Sequence, residues 1–93
     1  MNYTADQVYG ALLDAGADAQ NDYSGRGMYG ERCPSFECDE LSDAFKVFVN
    51  LAAQDENMAF ALASGARTDS MGMGMVVYWP RITYPKEVPT EAA

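Results

Sequence analysis

Residues 41–52, LSDAFKVFVNLA, set Leu41, Ala44, Phe45, Phe48, Leu51 and Ala52 at the spacing of one helical face. A stripe that wide must lie on other apolar surface, and a chain of 93 residues can supply only one core of two layers. Asp39, Glu40 and Asp43 crowd the start of this segment, opposite the positive end of the helix dipole. The pattern dips near Asp55 and resumes through Met58, Ala61 and Leu62 to Gly65, which fits one long helix or two shorter ones.

The other elements are read against that helix. Thr4 with Gln7 three residues on has capping-box spacing, and Val8, Leu12 and Ala15 beside Ala11 share a face, so a helix is expected over 5–15. The polar, glycine-rich DAQNDYSGRG reads as a loop. In MYGERCPSFEC, Tyr29, Cys33 and Phe36 alternate roughly, with Gly30 and Pro34 interrupting, so the expectation is an irregular or edge strand. ARTDS reads as a turn-like connector. Beyond it Met73, Met75, Val77 and Trp79 alternate with Val76 and Tyr78 as in a strand. Helix, strand, helix, strand is the order of an α+β fold: a small antiparallel sheet carrying two or three helices on one face. One domain is expected over 1–84, with 85–93 a loosely held tail.

Charge narrows the function classes. Fourteen acids against six bases, with no histidine, give a net charge of −8. Such a surface repels phosphate backbones, so direct nucleic-acid binding is disfavoured and a basic protein partner is favoured. The same charge also serves solubility alone. The N-terminus has neither the basic segment nor the apolar run of an export signal, and no stretch reaches membrane-span length, so a cytoplasmic protein with free thiols at Cys33 and Cys38 is expected. Two cysteines without histidine leave a zinc site half-built. No metal or other cofactor is expected. A nucleophile would lack an activating base, so the reading is of a non-enzyme.

Two glycine-rich stretches stand out. In SGRGMYG, glycines bracket Arg26, with Tyr23 and Tyr29 nearby. The stretch suits a tight turn feeding a strand, an exposed Arg–Tyr patch for a protein partner, or a backbone nest for a phosphate or nucleotide. In MGMGMVVYWP the methionines leave one bulky and one bare strand face, and Gly72 and Gly74 are expected to receive the Gly25–Gly30 turn, with Asp69 tethering Arg26. Asp14, Asp18 and Asp22 recur every four residues, and with Asp39, Glu40 and Asp43 they could imitate a row of phosphates in a basic groove. The candidate binding residues are therefore these six acids with Tyr23, Arg26 and Tyr29.

The two blocks YSGRGMYG and DSMGMGMVVYWP resemble segments of a group of small, functionally unassigned proteins of tailed bacteriophages. That resemblance implies phage origin and the cytoplasm of an infected bacterium, and carries no catalytic or ligand residue with it. The expected role is a small acidic accessory protein that binds a host or phage protein. The alternatives are a nucleotide- or phosphate-binding module and a minor virion component.

Overall fold

The computed structural model describes residues 2–25, 27–80, 84 and 85, so the expected tail from 86 onward lies outside the described residues. The elements run β1 (Asn2–Tyr3), α1 (Ala5–Asp14), β2 (Asp18–Tyr23), β3 (Cys33–Cys38), α2 (Leu41–Gln54), α3 (Glu56–Gly65), β4 (Arg67–Met71), β5 (Gly74–Tyr78) and β6 (Tyr84–Pro85). Four strands form an antiparallel sheet in the order β2-β3-β5-β4, and β1 pairs with β6 in a separate two-stranded ribbon. This is the expected α+β fold. Pro85, placed in the tail on sequence, pairs with Asn2 in that ribbon.

Local chemistry starts and stops the helices. At α1 the Thr4 hydroxyl accepts the Gln7 N–H at 3.2 Å, and the Thr4 N–H donates to Gln7 Oε1 at 2.8 Å. Val8, Leu12 and Ala15 are buried, as their spacing implies. Asp55 divides the long apolar segment into two helices. Its N–H donates to the Leu51 carbonyl at 2.7 Å, closing α2, while its Oδ1 accepts the Met58 N–H at 3.0 Å, opening α3. Extended backbone at Asp55 (φ −152°, ψ 94°) makes the break. An N-cap of this kind contributes about 1 kcal/mol.

The stripe on α2 is only partly used. Ala44, Val47 and Leu51 are buried and Phe48 packs against the core, whereas Leu41 and Phe45 are 56% and 60% exposed. The helix is rolled toward Val47, so the stripe read from sequence is displaced from the buried face.

Three strand assignments differ from expectation, two of them for one physical reason. Asp18–Tyr23 and Arg67–Met71 read as loop and connector because they are polar, yet they form the two edges of the sheet, where pairing on one side suffices and solvent takes the other. Cys33–Cys38, expected to be irregular or at an edge, lies inside between β2 and β5, and its pairing with β2 is irregular. Pro34 is tolerated there because Gln20 pairs with Ser35 and Tyr23 with Cys33, so three steps of β2 run against two of β3. The residue without an N–H stands opposite this bulge, and its carbonyl accepts the Trp79 N–H at 3.2 Å.

The helices cover the sheet face that bears Phe36, Val77 and Trp79. Trp79 is fully buried, with its ring centroid 6.0 Å from Phe36 and 6.3 Å from Phe48. Its indole N–H donates to the Leu62 carbonyl at 2.7 Å, which satisfies an acceptor in the last turn of α3. β4 and β5 are joined by the two-residue turn Gly72–Met73, with Gly72 at φ +57°. Met73, which the alternation placed on one strand face with Met75, Val77 and Trp79, sits at this tip and is fully exposed. No described helix is long and apolar enough to cross a membrane.

Candidate functional site

The face of the sheet away from the helices carries Cys33, Ser35, Val76 and Tyr78, all buried. The glycine-rich connection between β2 and β3 covers Cys33, Val76 and Tyr78. It folds on itself, with the Met28 N–H donating to the Gly25 carbonyl at 3.2 Å and the Glu31 N–H to the Met28 carbonyl at 3.0 Å. Gly27 and Gly30 take φ of +83° and +90°, a region that favours glycine, and Tyr29 between them is held at +53°. These turns drive Met28 down onto Cys33, Val76 and Tyr78, where it is 4% exposed. Its sulfur accepts the Gly25 N–H at 3.0 Å.

Gly25 has a different reason to be glycine. A Cβ there would stand 2.7 Å from the Tyr78 ring and 2.9 Å from the Tyr23 ring. The two glycine stretches do adjoin, but through Val76 and Tyr78. Gly72 and Gly74, expected to receive the turn, are occupied otherwise: Gly72 makes the hairpin, and a Cβ on Gly74 would meet the Cys38 carbonyl at 2.8 Å.

Tyr23 straps this cover in place. Its ring lies 4.9 Å from Tyr78, and its hydroxyl reaches from the β2 edge to the opposite edge, donating to Asp69 Oδ2 at 2.8 Å. Asp69, expected to tether Arg26, thus accepts from Tyr23; Arg26 itself lies outside the described residues. Burial first, then the hydrogen bond to Asp69 and its charge, push the Tyr23 phenol up to about 12. A phenol raised in the folded state contributes stability that is complete below its ordinary value near 10 and is lost as pH climbs from there toward 12. The urea midpoint of the wild type is therefore expected to fall across that window, and Tyr23→Phe is expected to flatten the decline.

The acids form the second feature. Asp18 at the start of β2, Glu37 and Asp39 at the end of β3 and Asp43 on α2 line one open groove of about 760 Å³, with Met73 on its rim. Its walls are fixed where α1 meets α2: Asn50 Nδ2 donates to the Ala15 carbonyl at 2.9 Å and Gln54 Nε2 to the Asp14 carbonyl at 3.0 Å. Lys46 also lines the groove, 3.9 Å from Asp43, in an exposed pair worth well under about 1 kcal/mol. Asp43 also accepts the Glu40 N–H at 3.3 Å, so these two acids serve the start of α2 as well. Cys38 lines the groove too. Burial, then the charges of Asp43 and Asp39, raise its thiol, which keeps it protonated and a poor nucleophile. Burial likewise raises Cys33, and both cysteines are free.

Among the residues singled out on sequence, the fold thus gathers Asp18, Asp39 and Asp43 into one groove and sets Asp14 and Glu40 at the ends of the helices that flank it. Asp22 and Tyr23 stand at the other end of β2, and Tyr29, 97% exposed, tops the cover beyond them. Those three do not join the groove acids in one patch. Glu37 was missed; its alternation with Phe36 in SFEC marks it as solvent-facing, but nothing in the sequence pairs it with Asp18, its neighbour across the strands. Among the described residues no cluster of acids and cysteines is arranged to hold a metal ion. Comparison with protein-family models, with curated proteins and with solved structures finds no match to this chain.

Proposed function

We propose that this is a small phage accessory protein that acts without catalysis, binding a basic host or phage protein through the carboxylates of its groove. One observation carries the reading: acids 25 positions apart in sequence, Asp18 and Asp43, converge with Glu37 and Asp39 on one concave surface. Like charges placed together add repulsion that a cationic partner relieves, and such a surface steers a basic protein toward it. The two glycine blocks, through their resemblance to phage proteins, support the setting in an infected bacterial cytoplasm. The nucleotide-nest alternative has less support. The Gly25, Met28 and Glu31 N–H groups are engaged within the cover, and Met28 fills its underside.

Affinity capture from lysate of the bacterial host tests this with three baits. They are the wild type, Glu37→Gln/Asp39→Asn/Asp43→Asn, and a charge-matched control neutralising Glu31, Asp55 and Glu56. The wild type and the control are expected to retain one basic partner, and the groove variant to lose it by about tenfold or more, since truncating close charge pairs commonly costs over 1.4 kcal/mol. Equal loss from both variants would show that only net charge matters. Because Asp43 takes part in capping α2 and Asp55 caps α3, both variants are to be matched to wild type by circular dichroism first.

A further inference from the structure

We infer that the basic partner, besides meeting the groove acids, supplies an extended segment that adds as a fifth strand along the free edge of β2, whose first residue, Asp18, also lines that groove; this rests on the reading above and extends it to a second contact. β2 pairs only with β3, so along one side its alternate N–H and C=O groups face outward, and among the described residues no other strand meets them. Beside that edge runs a second groove, about 380 Å³, formed by Tyr9 of α1 and by Ala19, Gln20, Asn21 and Asp22. An edge with a trough alongside is the geometry of strand addition: backbone hydrogen bonds hold the incoming chain, and alternate side chains drop into the trough.

The charges select the occupant. Asp18 and Asp22 are exposed on the strand itself. Asp6 reaches it from α1, its Oδ1 accepting from Asn21 Nδ2 at 3.2 Å. An arginine or lysine on the incoming strand would lie over the Tyr9 ring, a cation–π contact, with the Asp6 carboxylate within reach. A second copy would bring the same acids against themselves. The opposite edge, β4, carries Arg67 and so lacks this all-acidic character.

The test is a nuclear magnetic resonance titration of the isotope-labelled full chain with a short synthetic peptide alternating arginine and valine. The same peptide is also used N-methylated at alternate residues, in each of the two frames. The expected result is that β2 amides shift most and gain exchange protection at alternate positions, and that one N-methyl frame binds about tenfold or more weakly while the other binds nearly as wild type. Tyr9→Ala is expected to weaken the peptide several-fold without loss of fold. Shifts centred on Glu37, Asp39 and Asp43, with both N-methyl peptides binding alike, would overturn strand addition and leave the basic-partner reading standing. Absence of peptide binding, or dimerisation of the free protein through β2, would overturn the inference as well; the lysate capture judges the broader reading independently.

Discussion

Replacing Trp79 with alanine is expected to remove a large share of the protein's stability. The side chain is fully buried, packs on Phe36 and Phe48, and caps an α3 carbonyl through its indole N–H. Loss of such a side chain costs about 3–5 kcal/mol, from lost transfer energy and the cavity left behind. A domain of 93 residues has about 5–14 kcal/mol in total. Urea unfolding followed by circular dichroism is expected to show a midpoint lowered by about a fifth or more, or no folded baseline. Trp79→Phe keeps most of the apolar volume but leaves the Leu62 carbonyl without its donor, and is expected to lose about 1–3 kcal/mol. A Trp79→Ala variant within about 1 kcal/mol of wild type would mean that the helices do not pack on this face as described.

The second large effect is at Met28, outside the main core. Met28→Ala is expected to cost about 2–4 kcal/mol, because the side chain is the plug over Cys33, Val76 and Tyr78. Met28→Leu keeps the volume but leaves the Gly25 N–H without the sulfur that accepts it, and is expected to cost about 1–2 kcal/mol, less than the alanine. The alanine variant has a second readout, in the titration of Tyr23. With the cover loosened, water reaches its ring, and the phenol is expected to move from about 12 back toward its ordinary value. A purely local cavity would lower stability without moving that titration.

Both effects bear on how much the sequence discloses. The helices were legible because each one announces itself locally, through Thr4 with Gln7 and the apolar period, but the dip near Asp55 fitted one helix or two until its extended backbone and cap showed two. The edge strands were not. DAQNDY and RTDSM carry no apolar alternation, since neither side of an edge strand needs to be fully apolar, and only their pairing partners make them strands. The glycine stretch was half legible. Its turns could be read from Gly27 and Gly30, but that Met28 between them is a buried plug depends on a sheet face made by β3 and β5, remote in sequence. Tyr23 and Asp69, 46 residues apart, meet for the same reason. The acids show the limit most clearly. Their four-residue rhythm from Asp14 to Asp22 suggested a row, whereas the fold splits that row along β2 and joins its middle member to Glu37, Asp39 and Asp43.

The three glycines flanking position 26 have a structural role: they fold the connection so that Met28 seals the outer sheet face. The most direct measurement is a methyl-selective nuclear Overhauser experiment on the folded wild type. Cross-peaks from the Met28 ε-methyl to the Tyr78 ring and the Val76 methyls are expected, with its resonance shifted by the nearby rings. A Met28 methyl at its unfolded-chain position, with no cross-peak to either residue, would contradict that claim and return the SGRGMYG segment to the list of candidate ligand loops.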